Sequence, residues 1–451
     1  MSSVKVNVKE LLARACRVLA HHEMIDLWGH LSARVPGSDL VMVTPRFTKR
    51  CLPRTLTGAD ILVCSPKGDI REGRGDVPAG FTRDLELYGR SERKACIFAA
   101  PRFAMAAAIA GYALKPLTHM ESIAGFGLGT DLARATAVHD AGIGVWAAGS
   151  DIDDALTNLY HLEYLAQANS VVAGDSGVRG ITREDSDKLW NQFRGHHHYH
   201  EFYDSLDPGP IAHPYEKFAQ GEADRLKAAI AWSCRSLWER GTLVAFLEHI
   251  SHRAPDGRHF YMSASKTFRD IGTADICVLD YEANLVAGPK PPGFKWFHAQ
   301  LLRERKDAIA VVHTHDVHGR AYALSERKLV PSYRVGLDIG TGPLPQYGRC
   351  DLIVDPEVRR ATLDALGDGP VVHEIGHGTD FVAATLEKAT VDAIQREAFL
   401  AMDALARRFG SPRPLPKNAL DRIRAEERPA EDWWWFYAAE VGAPRRSAAG
   451  L

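Results

Sequence analysis

The stretch AIAVVHTH, residues 308–315, is the part of the sequence from which both the fold and the chemistry are inferred. Its apolar run predicts a buried β-strand. Alternate residues of a strand point to the same face, so His313 and His315 are expected to present two imidazoles side by side. Imidazole binds divalent zinc, manganese, cobalt or iron. The stretch therefore predicts part of a metal site, although this spacing also arises by chance in a chain with 20 histidines.

A third imidazole would complete a metal site that still has open positions for a substrate. His377 precedes Gly378 at a transition between strand and loop, and it is the predicted third ligand. His318 and His373 are the alternatives for that position.

The sequence on both sides of this stretch consists of two halves that resemble each other. Residues 8–34 and 223–253 each contain an amphipathic helical pattern, a short apolar segment and a His-apolar-Ser-x-Arg group, at 30–34 and at 249–253. Further on, residues 143–155 correspond to residues 377–389 with the same spacing, and each segment continues into a long helical pattern. The chain is therefore predicted to be a tandem duplication.

The break between the halves is predicted within residues 206–216, where Pro208, Gly209, Pro210 and Pro214 interrupt regular structure. The predicted domains are residues 1–210 and 216–451. Helical patterns alternate with short Val/Ile-rich runs, which is typical of an α/β domain with a central sheet covered by helices.

Taken together, these motifs resemble the class II aldolase/adducin family. The matching segments are 248–253, 311–315 and 377–389; the resemblance covers most of 220–410 and, more loosely, 8–175. It implies that His313, His315 and His377 are metal ligands. It also implies an α/β fold of two tandem domains, each a central mixed or antiparallel sheet flanked by helices, and four-fold assemblies.

The first half is predicted to be a degenerate copy without metal ligands. Its counterpart of residues 308–315 is ACIFAAPR, residues 95–102, with a register uncertain by one to three residues, and no choice of register supplies a histidine. The counterpart of the third ligand is Ile143.

A degenerate copy still has a possible role, because the resemblance implies active sites between neighbouring subunits. His30, Arg34, His198 and His200 are the residues expected to contribute across such a boundary; the alternative for the histidine run at 196–200 is an exposed loop or helix end. The aromatic run at 433–437 has two interpretations, a packing anchor for the C-terminal tail or an aromatic wall over the pocket.

The second half departs from the sugar-phosphate aldolases of the family in two respects. Those aldolases have an acidic residue four positions before a histidine. Here the histidine is His298, and the corresponding position is occupied by Phe294. A phosphate-binding serine stretch is also missing, and the nearest candidate is at 263–266. The remaining site predictions are substrate binding by Ser251, Arg253, Ser263 and Lys266, and catalysis by His249, His318 and Tyr437. For Arg253 a structural ion pair, and for Ser251 a turn or cap, are equally open.

The leading functional hypothesis is a metal-dependent carbon–carbon lyase that acts on a small oxygenated, possibly aromatic, acid. A bound divalent cation would stabilise the enolate that retro-aldol cleavage and decarboxylation share. One alternative is a non-haem iron oxygenase with the same three histidines. The other is an adducin-like interaction protein without enzymatic activity.

Composition limits the partners and the location. The net charge is −2, which gives no reason to expect nucleic acid or an anionic membrane as a partner. The chain has no apolar stretch long enough for a membrane span and no secretory signal, and its 7 cysteines form no CxxC pair. We expect a cytoplasmic protein with a small-molecule substrate, assembled as a homo-oligomer, most simply a dimer of tandem chains.

Overall fold

The structure is a computed structural model of the 451-residue chain. It describes residues 8–117, 128–129, 131–133, 135–140, 142–176, 182, 184, 207, 209–210, 221–242, 248–324, 328–337, 346–347, 353, 355–374 and 377–442. The chain divides into two compact units. The first comprises Met1–Ala212, Ser332–Arg334 and Met402–Glu427; the second comprises His213–Pro331, Val335–Ala401 and Arg428–Leu451. The domain bounds at 210 and 216 stay a prediction.

The first unit contains an eight-stranded sheet with the order β4-β3-β2-β1-β5-β8-β7-β6. Its strands are β1 His30–Arg34, β2 Val41–Val43, β3 Leu62–Cys64, β4 Ile70–Glu72, β5 Ala95–Ala99, β6 Leu128–Gly129, β7 Ala137–Asp140 and β8 Gly144–Gly149. Its helices include α1 Val8–His21, α2 Phe81–Arg90, α3 Arg102–Ala110 and α4 Ile152–Val172. Helix α4 packs on β5, β7 and β8, which places the core between this helix and the sheet.

The second unit repeats this arrangement with the order β12-β11-β10-β9-β13-β16-β15-β14. Its strands are β9 His249–Arg253, β10 His259–Ser263, β11 Ile276–Asp280, β12 Leu285–Ala287, β13 Ala310–Thr314, β14 Gln346–Tyr347, β15 Val371–Glu374 and β16 Gly378–Ala383. The helices that follow the first four are α5 Glu222–Glu239, α6 Lys295–Glu304, α7 Val317–Ala323, α8 Pro356–Leu366, α9 Leu386–Phe409, α10 Lys417–Ala425 and α11 Ala430–Gly442. Of these, α10 and the end of α9 belong to the first unit.

Both sheets are mixed, because the last two strands of each order pair in parallel and the other neighbours pair antiparallel. The central strand β13 is completely buried, as its run of β-branched and apolar residues predicts. Helix α5 packs on β9, β10 and β11, while α6 contributes Phe297 and Leu301 to the core that contains Val311. The predicted fold class, two tandem domains with central mixed sheets flanked by helices, is confirmed.

Two features agree with the expectations from composition. Among the helices in the described part of the chain, none has the length and hydropathy that crossing a membrane requires. The six cysteines in the described part of the chain are free thiols, and all of them except Cys51 are buried.

Candidate metal centre

Three histidines meet at one end of strands β13 and β16. His313 lies in β13, His315 directly after it, and His377 directly before β16, which pairs antiparallel with β13. Their ligand nitrogens all lie within 4.8 Å of one another. The predicted trio is thus brought together by a strand pairing that joins residues more than 60 positions apart in the sequence.

Gly378 explains why the third histidine is followed by glycine. A Cβ atom at this position would lie 2.6 Å from the carbonyl oxygen of Thr314 and 2.9 Å from Nε2 of His313. These distances are too short for any side chain, so the close approach of the two strands, and with it the convergence of the histidines, depends on glycine.

A buried carboxylate lies next to the Nδ1 atom of each histidine. Asp380 Oδ1 is 2.9 Å from Nδ1 of His313, Glu248 Oε1 is 3.5 Å from Nδ1 of His315, and Glu374 Oε2 bonds Nδ1 of His377. All three carboxylates have fully buried side chains. At His313 and His377 the carboxylate is within hydrogen-bond distance, and a carboxylate that accepts from Nδ1–H fixes the tautomer and leaves Nε2 free as a ligand.

The electrostatics of the buried groups favour neutral imidazole at the centre of the trio. Burial lowers the pKa of His313 to about 3, so this ring has a lone pair available at neutral pH. Burial likewise raises the pKa of Asp380 to about 6. Three carboxylates in a dry site are a strong reason to expect a compensating cation there.

The spacing of the ligand atoms fits a metal ion. Nε2 of His313 and Nε2 of His315 are 3.4 Å apart. Two nitrogens that each lie about 2.1 Å from a tetrahedral ion are separated by about 3.4 Å. The residues can therefore hold a divalent metal through His313, His315 and His377, with positions left for a substrate.

His249 lies beside this centre, on the neighbouring strand β9. Its ring stacks on His313 at a centroid distance of 4.5 Å. Its Nδ1 is 2.6 Å from Nε2 of His298, whose Nδ1 is 2.6 Å from the Ser251 hydroxyl. Burial first, and then the neighbouring imidazoles, hold the pKa of His249 well below its usual value. Its Nε2 is buried and has no hydrogen-bond partner among the described residues.

Phe294, at the position where the aldolases carry an acid, forms one wall of the same site. Its ring centroid lies 5.2 Å from that of His249, 6.2 Å from that of His313 and 5.6 Å from that of His377. The site therefore offers an apolar aromatic face next to the ligand histidines, where a carboxylate was in doubt from the sequence.

Three of the proposed substrate-binding residues are engaged elsewhere. Arg253 donates hydrogen bonds to the backbone carbonyls of Leu302, Arg305 and Ala308 and to the Tyr281 hydroxyl, which ties β9 to the end of α6. Ser263 is buried and accepts from the backbone N–H of Ile250. Lys266 pairs with Asp275 at 2.8 Å. Their contacts give a structural role to each, and only Ser251 contacts the centre, through His298.

The other two predicted catalytic residues, His318 and Tyr437, lie in different surroundings. His318, at the start of α7, is about one-third exposed and places Nδ1 2.6 Å from Glu397 Oε1. Tyr437 stacks on Trp433 and lies under the guanidinium of Arg240, directly after α5. Trp434 donates to Ser233 of α5 as well. These contacts support the interpretation of 433–437 as a packing anchor.

The first unit has the same strand register without the ligands. His30 pairs with Phe98 as His249 pairs with His313, and Phe98 pairs with Trp146 as His313 pairs with Asp380. Phe98 and Trp146 stack at 4.5 Å in the corresponding place. The register thus puts a phenylalanine where the second unit has its first ligand.

The two predicted cross-domain residues that the structure describes are both held inside the first unit. His30 lies 3.2 Å from the buried Asp84, and Ser32 donates to the same carboxylate. Arg34 bonds the carbonyls of Tyr88, Ser91 and Arg93, as Arg253 does in the second unit. His198 and His200 lie outside the described residues.

Sequence reasoning missed the three carboxylates and the role of His298. The available signal was weak: Glu248 directly precedes the His-Ile-Ser group, and Asp380 follows His377 by three residues. Only the pairing of β13 with β9 and β16 shows that these acids lie behind the ligands.

Comparison with known proteins agrees with this geometry. The family model described as "Class II Aldolase and Adducin N-terminal domain" matches residues 10–170 and 228–403. The chain belongs to this family. Its tandem match confirms the predicted duplication.

Similar proteins include lyases of two kinds. The chain is 32% identical over 181 residues to a 3,4-dihydroxyphthalate decarboxylase of Arthrobacter keyseri, covering 37% of this chain and 73% of the relative. It is 27% identical over 176 residues to a 5-methylthioribulose-1-phosphate/5-deoxyribulose-1-phosphate aldolase of Rhodospirillum rubrum, covering 39% and 78%. A solved aldolase II superfamily protein of Pseudomonas syringae is 18% identical, with a TM-score of 0.44 over 51% of this chain and 96% of that one. The predicted enzyme class, a lyase of the aldolase or decarboxylase type, is confirmed.

Proposed function

We propose that this chain is a metal-dependent decarboxylase of a hydroxylated aromatic acid. The observation that carries the proposal is Phe294, an aromatic ring beside His249 and His377 where aldolases of the family have their acid. An aromatic substrate gains offset or edge contacts with such a ring.

The missing acid favours decarboxylation over retro-aldol cleavage. Retro-aldol cleavage begins when a base removes a hydroxyl proton, whereas decarboxylation begins from a carboxylate that is already ionised. The carboxylates at the centre, Glu248, Glu374 and Asp380, each face an imidazole nitrogen. We propose that these carboxylates orient the ligand histidines and do not act as the base.

In the proposed reaction the bond between the ring carbon and the carboxylate carbon breaks, and CO₂ leaves. The electron pair stays on the ring and is delocalised toward a ring oxygen, and a proton then adds to the same carbon. A divalent metal held by His313, His315 and His377 would supply the positive charge that stabilises electron density on that oxygen.

His249 is proposed to donate a hydrogen bond from Nε2 to a substrate oxygen. In this proposal the Ser251 hydroxyl donates to Nδ1 of His298, 2.6 Å away, and Nε2–H of His298 donates to Nδ1 of His249, also 2.6 Å away. With the bonds in this direction, the proton of His249 is on Nε2. A neutral imidazole held in this tautomer is a fixed donor, which costs no reorganisation during the reaction.

His318 is proposed to deliver the proton that replaces CO₂. Glu397 holds its Nδ1, and the side chain is about one-third exposed, so its other nitrogen can exchange protons with solvent. Tyr437 is not part of this proposal because of its packing against Trp433 and Arg240.

The comparisons support an aromatic acid as the substrate. Relatives named 3,4-dihydroxyphthalate decarboxylase, from Arthrobacter keyseri, Terrabacter and Rhodococcus jostii, are 32%, 28% and 27% identical to the chain. The substrate named for these relatives is an aromatic acid with two neighbouring hydroxyl groups, which could face the open positions of the metal.

For the first domain, residues 1–210, we propose that it binds no metal at the place corresponding to the second domain's centre. Phe98 and Trp146 fill that place. We further propose a cytoplasmic enzyme that assembles as a dimer of tandem chains, which equilibrium sedimentation would test.

The direct test is release of CO₂ from 3,4-dihydroxyphthalate by protein loaded with zinc, manganese, cobalt or iron. Wild type is compared with two variants. His315→Ala removes a proposed ligand, and His259→Ala removes a histidine of β10 that pairs with Asp256. We expect release by wild type and His259→Ala and none by His315→Ala, equally with and without oxygen. Cleavage of 5-deoxyribulose 1-phosphate without any CO₂ release would favour the aldolase; strict oxygen dependence would favour the oxygenase.

A further inference from the structure

Three of the cations on segments that adjoin the metal centre are Arg253, Lys266 and Arg320, and the first two are occupied. Arg253 is used by backbone carbonyls and Tyr281, and Lys266 is paired with Asp275. The third is Arg320 in α7, five residues after the ligand His315. Its one hydrogen bond within the described structure is a long one, 3.4 Å from Nε to the carbonyl oxygen of Asp316.

Helix α7 places Arg320 next to the strands that carry the centre. This helix follows β13 directly and packs on β15 and β16, the two strands that flank His377. Arg320 is half-buried, and no carboxylate of the described residues lies within ion-pair distance of it. Its charge lies close enough to the His377 imidazole to interact with it electrostatically.

The charge of the site calls for such a cation. Glu248, Glu374 and Asp380 place three buried carboxyl groups around the centre, and the cation to compensate their charge is a divalent metal. An anionic substrate entering this field would be repelled unless a further positive charge met it. A guanidinium that forms no ion pair with the described residues is well suited to bind a carboxylate through two parallel hydrogen bonds.

We propose that Arg320 binds a carboxylate that the substrate keeps, so that the substrate is an aromatic dicarboxylate of which one group leaves. This inference rests on the proposed function. The sequence gives no hint of it, because Arg320 lies outside every motif that resembles the family.

The retained carboxylate is favoured over the leaving one for an energetic reason. Decarboxylation moves negative charge from the leaving group into the ring. An ion pair with the leaving carboxylate would therefore be stronger in the ground state than in the transition state, and it would slow the reaction. An ion pair with the group that stays is equally strong in both states, so it contributes binding without opposing the chemistry.

The test compares two probes that differ only in a carboxylate, 3,4-dihydroxybenzoate and catechol, by calorimetric titration of the zinc-loaded protein. The variants are Arg320→Gln, Arg320→Lys and, as a matched control, Arg303→Gln at an exposed site on α6. We expect wild type and Arg303→Gln to bind the carboxylated probe about 10- to 100-fold more tightly than catechol. Arg320→Gln is expected to bind both probes alike and Arg320→Lys to retain part of the preference. Circular dichroism and zinc content verify that each variant is folded and loaded.

Each outcome bears on one claim. If Arg320→Gln keeps the preference that wild type shows, the role of Arg320 is overturned while the proposed function stands. If wild type binds neither probe, the proposed function fails and this inference fails with it. Turnover of 3,4-dihydroxyphthalate gives a second readout: Arg320→Gln is expected to raise KM by about 10- to 100-fold with little change in kcat, and a fall in kcat at unchanged KM would overturn the assignment.

Discussion

Asp380→Asn is the substitution that best separates a metal centre from an ordinary buried cluster. Asp380 and His313 have fully buried side chains, and the carboxylate lies 2.9 Å from Nδ1. Asparagine keeps the shape and an oxygen that can accept the same hydrogen bond. The substitution therefore removes the charge and little else.

The size of the effect follows from that bond. A hydrogen bond to a charged acceptor contributes about 1.5–3 kcal/mol and a neutral one about 0.5–1.5 kcal/mol, so the loss is roughly 1–1.5 kcal/mol, close to 10-fold in metal affinity. The lost attraction between the buried charge and the cation adds to this. Outer carboxylates of metal sites typically contribute 10- to 100-fold, so we expect a loss within about that range.

The free energy of unfolding of the metal-free protein is expected to rise or to stay the same, although the metal affinity falls. Burial raises the pKa of Asp380 to about 6, which means that folding disfavours its charged form at neutral pH. Neutral asparagine avoids that cost. Zinc affinity would be measured by competition with a chromophoric chelator, and stability by denaturant unfolding of the metal-free protein.

The first domain supplies a matched control. Asp84 is also a buried carboxylate next to a histidine, 3.2 Å from Nε2 of His30. Asp84→Asn is expected to leave zinc affinity unchanged. The reasoning would be refuted if Asp380→Asn bound zinc as tightly as wild type, or if both substitutions weakened binding to the same extent.

Three further predictions test the remaining parts of the site. Phe294→Ala removes an aromatic contact of about 0.5–1.5 kcal/mol and is expected to raise KM for the aromatic acid at least several-fold with metal content unchanged; an unchanged KM would argue against an aromatic substrate. Arg253→Ala leaves several backbone carbonyls without a donor and is expected to destabilise the second unit by about 2–4 kcal/mol in denaturant unfolding, while the folded fraction keeps its kcat/KM; full stability would contradict the structural role. Gly378→Ala places a Cβ 2.6 Å from the Thr314 carbonyl and 2.9 Å from His313 Nε2, and is expected to abolish tight zinc binding, as an inductively coupled plasma measurement would show.

Much of the fold could be predicted because the relevant signals are local. The strand at 308–315 is a short apolar run, its alternation points His313 and His315 the same way, and the glycine after His377 marks a close approach of strands. The duplication shows as repeated patterns along the chain. Each of these inferences requires only a few neighbouring residues.

The roles of the charged residues could not be predicted, because they depend on partners that are far away in the sequence. Arg253 matches a substrate-binding residue by its motif, yet the carbonyls that bind it belong to residues about 50 positions later. Asp380 supports His313 only because β13 pairs with β16 in one particular register. A register shifted by one residue would turn both side chains to the other face.

The most direct test of the central claim, a single metal centre in the second unit, is the metal content of untagged protein with two histidine substitutions. His313→Ala removes a proposed ligand, and His30→Ala removes a buried histidine from the corresponding sheet of the first unit. We predict about one metal ion per chain in wild type and in His30→Ala, and about one fewer in His313→Ala. Equal metal content in wild type and His313→Ala would contradict the account.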